Sequence, residues 1–195
     1  MYLCLDLSLK CTGWAIFYED GVIESWGRIV PPSNLSNPFK IHFIATRLKQ
    51  KFFNVSNLII EDLYLGYNFR GIKELARLAG AVENLWVEFS YKEPVFYMAS
   101  TARKTIGISG RAHKSEVQLF VINNYLKHRL SVGNSTLSYL NQRYLLLKSD
   151  NSLTKSQLKY RLDKLSALID KATGIGEDIA DAIVLGKAFV RRRNG

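Results

Sequence analysis

Four acidic residues stand at positions where the surrounding sequence is apolar. Glu61 ends the buried-strand pattern of residues 58–60, and Asp6 lies within the first apolar run of the chain. Asp178 and Asp181 are three residues apart, so they share one face of a predicted helix. Hard divalent cations prefer carboxylate oxygens, and two such cations about 3.5–4 Å apart activate water and stabilise the leaving oxygen in phosphodiester hydrolysis. If the four acids converge, the sequence predicts a two-metal hydrolytic site.

Each acid also has an ordinary explanation. Glu61 and Asp62 could simply begin a solvated loop. Glu177 and Asp178 could favour the positive end of the helix dipole, an effect of about 0.3–1 kcal/mol at an exposed site. That explanation suits Asp181 less well, because its neighbours in the sequence are apolar.

The elements that carry Asp6 and Glu61 follow from the hydrophobic pattern. Apolar runs on either side of an Asp-Gly turn predict three antiparallel strands. These strands cover residues 2–7, 12–18 and 22–29. A predicted helix from Pro38 to about Phe52 then precedes the strand that ends at Glu61. A helical connection lets that strand run parallel to the first, which would place Asp6 and Glu61 on adjacent strands.

A long helix is predicted over residues 71–90, after an aromatic loop punctuated by glycine. Its middle holds a cluster of small residues, namely Ala76, Ala79, Gly80 and Ala81. Glycine inside a helix costs about 1 kcal/mol relative to alanine, so close approach by the sheet or by a second subunit would explain Gly80. The helix is therefore a candidate contact in a homodimer.

The rest of the chain is predicted to be mainly helical. The elements are a strand over residues 95–99, a basic turn over 100–104, a Gly-rich stretch over 106–111, a helix over 114–126 and a last helix over 177–192. Residues 127–173 differ in character and contain one predicted helix over 154–171. With 195 residues, 47% of them hydrophobic, the chain predicts a single domain over residues 1–195 that carries this segment as an insertion at about 127–173.

The net charge of +10 is concentrated in the second half of the chain. Residues 1–90 hold nine basic and nine acidic residues, whereas residues 91–195 hold eighteen basic and eight acidic ones. This asymmetry favours a nucleic acid partner over a merely basic surface, because neutralising phosphates releases condensed counterions. The insertion contributes to it, and we expect Lys155, Lys159 and Arg161 to face a duplex arm while Leu158, Leu162 and Leu165 dock on the protein.

Several classes of protein are disfavoured. No apolar run is long enough to cross a membrane, and no signal-peptide pattern is recognisable. The two cysteines, Cys4 and Cys11, are expected to be free thiols. A cytoplasmic location is therefore expected. The sequence has no zinc-binding spacing and no Walker A loop. The isolated residues His42, His113 and His128 are expected to be surface or structurally satisfied histidines.

Four segments resemble motifs of the RuvC-type Holliday junction resolvases. Residues 3–16 (LCLDLSLKCTGWAI) resemble the opening strand and hairpin of that family, and residues 58–64 (LIIEDLY) resemble its second acidic strand. Residues 112–118 (AHKSEVQ) resemble its basic helix start, and residues 177–183 (EDIADAI) resemble its closing Asp-x-x-Asp-Ala helix. The resemblance covers the chain except residues 127–173, and it rests on the order of the four segments.

The resemblance implies an α/β protein with an RNase H-like fold. The expected architecture is a mixed five-stranded sheet, with three antiparallel strands and then parallel strands, flanked by helices and carrying a helical insertion. The family implies a homodimer that resolves four-way DNA junctions by paired symmetric cuts, leaving 5′-phosphate and 3′-hydroxyl ends. It also implies two Mg²⁺ ions per active site, with Mn²⁺ able to substitute. Leu7-Ser8 in place of the more usual Pro-Gly, together with the insertion, suggests a phage or viral branch with broader substrates.

The resemblance also assigns roles to individual residues. Asp6, Glu61, Asp178 and Asp181 match the catalytic carboxylates that bind metal, and Lys114 matches a lysine close to the scissile phosphate. The residues expected to contact DNA are Tyr64, Tyr67, Phe69, Arg70, Arg103, Lys104, Arg111 and Lys114. Of these, Tyr64 matches an aromatic residue that stacks on a base at the opened junction, and such stacking commonly holds unpaired bases.

Other classes share parts of this pattern. Actin-like ATPases and sugar kinases also open with an Asp and a Thr-Gly hairpin, but they need two such domains around a nucleotide, and 195 residues have room for one. No nucleotide cofactor is therefore expected. An RNase H, a transposase-like enzyme or a nuclease for other branched DNA is a closer alternative, and a non-catalytic junction-binding module is a third.

Overall fold

The computed structural model describes residues 1–62 and 69–194 of the chain. The strands are β1 (Tyr2–Asp6), β2 (Thr12–Phe17), β3 (Ile23–Ile29), β4 (Asn57–Glu61) and β5 (Val95–Tyr97). They form one mixed five-stranded sheet in the order β3-β2-β1-β4-β5. β1, β2 and β3 pair antiparallel, whereas β4 runs parallel to β1 and β5 runs parallel to β4. This arrangement confirms the predicted sheet.

Seven α-helices are present in the described residues. They are α1 (Asn37–Lys49), α2 (Phe69–Ser90), α3 (Ala99–Thr105), α4 (Lys114–Val121), α5 (Asn134–Ser149), α6 (Lys155–Thr173) and α7 (Glu177–Asn194). A π-helical turn over Ile122–Leu126 extends α4. Throughout the described ranges, no helix is both long enough and apolar enough to cross a membrane.

Two predictions about these elements need correction. The basic turn predicted over residues 100–104 is the helix α3, which is too short for apolar periodicity and is anchored by the buried Ala102. The helix α5 was not predicted. Its apolar residues do not share one face, because Leu140 is buried whereas Leu145 and Leu146 are exposed.

Helices cover both faces of the sheet, as the apolar pattern of residues 58–60 predicts, and these three residues are fully buried. On one face the core includes Leu48 of α1 and Trp86 of α2. On the opposite face Cys4 of β1 packs in the same core as Ile183 of α7. The last helix therefore lies directly on the first two strands.

Two glycines allow α7 to lie this close to the sheet. A Cβ atom on Gly13 of β2 would lie 2.0 Å from the carbonyl oxygen of Asp178, which is a backbone atom of the first turn of α7. A Cβ atom on Gly186 would lie 2.0 Å from the ring of Phe17. Because Gly13 pairs with Asp6 across the two strands, the first turn of α7 is fixed beside Asp6.

The small-residue cluster of α2 does not contact the sheet at Gly80. Apart from its chain neighbours and the backbone of α2 itself, a Cβ atom on Gly80 would meet no atom of the described residues within 4 Å, and Gly80 is exposed. The bulky neighbours Leu78 and Trp86 point instead into the core. Of the two explanations for Gly80, approach by the sheet is therefore wrong.

Residues 127–173, the segment predicted to be an insertion, dock through α6, which corresponds to the helix predicted over residues 154–171. Thr154 and Gln157 form a capping box at its start, and Gly174, with φ of 72°, ends it. The residues buried against the protein are Leu162, Leu165, Ser166 and Ile169. The residues predicted to face outward, Lys155, Lys159 and Arg161, are exposed.

Candidate active site

Asp6 and Glu61 lie side by side at the ends of β1 and β4. The parallel register pairs Leu5 with Ile60, so the next residues of the two strands are neighbours. Alternation along the strands places them on the face of the sheet that α7 covers. The two carboxyl groups are close enough to share a hydrogen bond.

The first two turns of α7 bring the other two acids to this pair. Asp178 and Asp181 lie on the helix that contacts Gly13. The structure thus brings together all four acids that the sequence singles out, from two strands and one helix that are distant in the sequence.

The pKa values of the acids show how strongly they interact. Burial, and after it the charges of Glu61 and the two α7 acids, raise the pKa of Asp6 well above its ordinary value. Burial and the charge of Asp181 raise the pKa of Glu61 to about 7, although Arg103 opposes this rise. Ionisation of both carboxyl groups is therefore unfavourable without a nearby positive charge.

Arg103 is a counter-charge inside the cluster. Its Nη2 atom lies 2.8 Å and its Nε atom 3.3 Å from Oδ1 of Asp181, and its Nη1 atom lies 3.5 Å from the carbonyl oxygen of Ala112. Only 17% of the Arg103 side chain and 15% of the Asp181 side chain are exposed. Burial raises the pKa of Asp181, and this guanidinium limits the rise. Contact between Arg103 and DNA stays a prediction.

Asp178 has a hydrogen-bond partner that is distant in the sequence, and a second long-range contact lies close by. The Cys11 thiol donates a hydrogen bond to Oδ2 of Asp178 over 2.9 Å. Burial and this hydrogen bond raise the pKa of Cys11 to about 12, so the thiol stays protonated. Nearby, Nη1 of Arg28 on β3 lies 3.1 Å from Oδ2 of Asp170 on α6. No local pattern predicts these contacts, because the partners are more than 140 residues apart in the sequence.

Lys114 lies at the start of α4 between two carboxylates. Its Nζ atom is 3.2 Å from Oε2 of Glu177 and 3.5 Å from Oδ1 of Asp163. His113, which precedes it, caps α4 by accepting a hydrogen bond from the Ser115 backbone N–H at Nδ1. His113 is thus a satisfied histidine, as predicted.

The remaining predicted DNA contacts divide into two groups. Lys104 and Arg111 are exposed. Tyr64 and Tyr67 lie outside the described residues, and Phe69 and Arg70 lie in the first turn of α2 but their side chains are also outside the described part. Their proposed roles stay predictions.

The chemistry of the four acids suits a hard divalent cation, because buried oxygen ligands that repel one another are stabilised by positive charge. Within residues 1–62 and 69–194, however, no group of three or more His, Cys, Asp or Glu side chains is arranged as a ready metal site. Asp181 is turned to Arg103, and Asp178 is hydrogen-bonded to Cys11. These contacts engage Oδ1 of Asp181 and Oδ2 of Asp178, so a cation could be bound through the other oxygen of each carboxylate.

The sheet order, the helices on both faces and the acids at the strand ends define a RuvC-like form of the RNase H-like fold. The structure of Thermus thermophilus RuvC in complex with a Holliday junction substrate matches with a TM-score of 0.60 and 11% sequence identity, covering 100% of this chain and 95% of that chain. A second Thermus thermophilus RuvC structure matches with a TM-score of 0.53 and 13% identity, covering 88% and 97%. No family model and no curated protein matches the sequence.

Proposed function

We propose that this protein is a metal-dependent endonuclease that resolves four-way DNA junctions by paired symmetric cuts. The observation that carries the proposal is the meeting of Asp6, Glu61, Asp178 and Asp181 at one end of a RuvC-like sheet. The neighbour that matches this fold was solved with a Holliday junction substrate. The basic second half of the chain supports a polyanionic substrate.

Two Mg²⁺ ions held by these four carboxylates, with Mn²⁺ as a substitute, would activate the attacking water and stabilise the leaving oxygen. The chain's own residues prepare for that charge. Burial and neighbouring acids raise the pKa values of Asp6 and Glu61, and bound positive charge would favour their ionised forms. Arg103 balances Asp181 until then. The expected products carry a 5′-phosphate and a 3′-hydroxyl.

The substrate is proposed to lie across the cluster, with Lys114, Lys104 and Arg111 contacting phosphates. Lys114 is 36% exposed, and the other two side chains are exposed. Arg70 would add a further phosphate contact, and Tyr64, Tyr67 and Phe69 would hold unpaired bases by stacking. Phosphate contacts orient the duplex, whereas the branch point selects the substrate.

A cleavage comparison tests the proposal. Equal amounts of labelled four-way junction, Y-shaped fork, RNA/DNA hybrid and linear duplex are incubated with the protein and Mg²⁺. We expect the junction to be cut fastest, at two symmetric positions. Faster cutting of the hybrid would indicate an RNase H instead, and binding of the junction without cutting of any substrate would indicate a non-catalytic module.

A homodimer is part of the proposal, because two active sites related by a two-fold axis produce two symmetric cuts. The outer face of α2 is the proposed contact, since Ala76 and Gly80 are exposed there together with Val87, which is 41% exposed.

Sedimentation of the protein at micromolar concentration is expected to give the mass of a dimer. Gly80→Arg should give a monomer, whereas Thr46→Arg, at an exposed position of α1, should not. If the wild-type protein sediments as a monomer both with and without DNA, the proposed homodimer is contradicted.

The exposed face of α6 is proposed to contact a duplex arm. Changing Lys155, Lys159 and Arg161 together to Gln should reduce the slope of log affinity against log salt by about 2–3, because each lost phosphate contact removes about 0.9. The cleavage position should not change. The matched control changes the exposed residues Arg47, Lys49 and Lys92 to Gln. An unaltered slope in the α6 variant means that this face does not contact DNA.

A further inference from the structure

The insertion helix α6 carries two acids that reach residues beside the carboxylate cluster. Oδ1 of Asp163 lies 3.2 Å from Nε2 of His113 and 3.5 Å from Nζ of Lys114. Two turns later, Asp170 pairs with Arg28 of β3 at 3.1 Å. Residues seven apart lie on the same side of a helix, so one side of α6 faces the site.

The core holds α6 in place. Leu162, Leu165 and Ile169 are buried. Ser166 donates a hydrogen bond from Oγ to Oε1 of Gln118 over 2.6 Å, and Nε2 of Gln118 donates to the carbonyl oxygen of Ile175 over 2.8 Å. These buried contacts join α4, α6 and the segment before α7. Because α6 is fixed, Asp163 presents a fixed negative charge to Lys114.

Lys114 needs such a partner. It is the first residue of α4, where the positive end of the helix dipole disfavours an ammonium group. A lysine side chain also has four rotatable bonds, so its ammonium group samples many positions unless it is held. Glu177 holds it from α7 and Asp163 from α6, and His113 holds Asp163 in turn.

We propose that Asp163 is a positioning residue of the active site, which aims the Lys114 ammonium group at a DNA phosphate beside the carboxylate cluster. The insertion is then part of the catalytic apparatus on one side of α6, while its opposite side is exposed. The part played by Lys114 rests on the proposed nuclease function, but its position between α6 and α7 does not.

Single-turnover cleavage tests the kinetic consequence. Asp163→Asn is expected to lower the cleavage rate by about 10- to 100-fold, the cost of misplacing a catalytic group by about 1 Å. Its affinity for the junction should change by less than about threefold, because the other phosphate contacts remain. Asp163→Glu, which restores the charge, should recover much of the rate. The matched control is Glu93→Gln, which neutralises an exposed acid just before β5.

Acetylation of Lys114 tests the contact without cleavage. The purified protein is treated with an amine-specific acetylating reagent, and modification is followed by mass spectrometry. Burial lowers the pKa of Lys114, but Glu177 and Asp163 together outweigh burial and raise it. Lys114 should therefore be acetylated about threefold faster or more in the Asp163→Asn variant than in the wild-type protein. The reason is that the unprotonated amine of Lys114 becomes more abundant and more accessible. Glu93→Gln should leave the acetylation rate of Lys114 unchanged.

The two measurements separate the proposals. If wild type cuts no branched DNA, the nuclease proposal fails, while acetylation still decides whether Asp163 holds Lys114. If the Asp163→Asn variant cleaves DNA and is acetylated at Lys114 as fast as the wild-type protein, the positioning role is overturned. If Asp163→Asn unfolds, Asp163→Ser and Asp163→Glu are compared instead, and equal acetylation of Lys114 in these two variants overturns it.

Discussion

Replacing any one of Asp6, Glu61, Asp178 or Asp181 by its amide is expected to abolish cleavage of branched DNA. The rate should fall by about 1,000-fold or more, as it does when one member of a catalytic group that acts as a unit is removed. Junction binding should change by less than about threefold, because affinity comes from basic residues that contact phosphate. Single-turnover cleavage with Mg²⁺ and a binding assay with Ca²⁺ in place of Mg²⁺ measure the two quantities.

Asp62 provides the matched control for these substitutions. It follows Glu61 directly but is exposed, and its backbone N–H donates to the carbonyl oxygen of Tyr97. Asp62→Asn should therefore cut at nearly the wild-type rate. Unchanged cutting by two or more of the four cluster variants would refute the assignment of the site.

Gly13→Ala is expected to damage stability and cleavage together. The added Cβ atom would lie 2.0 Å from the backbone carbonyl oxygen of Asp178, so α7 must move away from β2. Overpacking of a core costs about 1–3 kcal/mol, and a clash with backbone lies at the upper end of that range. Because Asp178 and Asp181 move with α7, cleavage should fall more than stability alone explains. Chemical denaturation and cleavage of the folded fraction measure both effects.

Gly133→Ala is the control for this substitution. Gly133 precedes α5 with φ of –62°, and an added Cβ atom would meet nothing closer than 3.7 Å. Its unfolding free energy should change by no more than about 1 kcal/mol, because the loss of a preferred N-cap residue is offset by the lower entropy of the unfolded chain. A Gly13→Ala protein as stable and active as Gly133→Ala would show that α7 does not need the close approach.

The sheet could be predicted because its signals are local. The Asp-Gly turn between the apolar runs of β2 and β3 specifies a hairpin from adjacent residues, and three consecutive apolar residues at 58–60 specify a strand that is covered on both faces. The four acids were recognisable by their apolar surroundings. With only 11% identity to the RuvC structure, the order of short motifs carried the resemblance.

The partners of the acids could not be predicted from the sequence. Arg103 looks like an ordinary surface cation, and it turns inward because the burial of Ala102 fixes α3 against α7. Cys11 meets Asp178 across 167 positions of the chain, and no periodicity reports such a distance. The contact of Asp163 with Lys114 could not be predicted for the same reason, since it depends on the tertiary packing of α4 and α6.

Asp6 is synthesised long before Asp181, although their carboxylates meet in the folded protein. The sheet face around Cys4 is covered by α7, so a ribosome-bound chain that lacks this helix exposes that face and holds only half of the cluster. Contacts between residues far apart in sequence form late, because the loop between them must close first. A chain truncated before α7 therefore has neither a complete core nor the proposed nuclease site. The proposed activity is therefore expected only after α7 has left the ribosome.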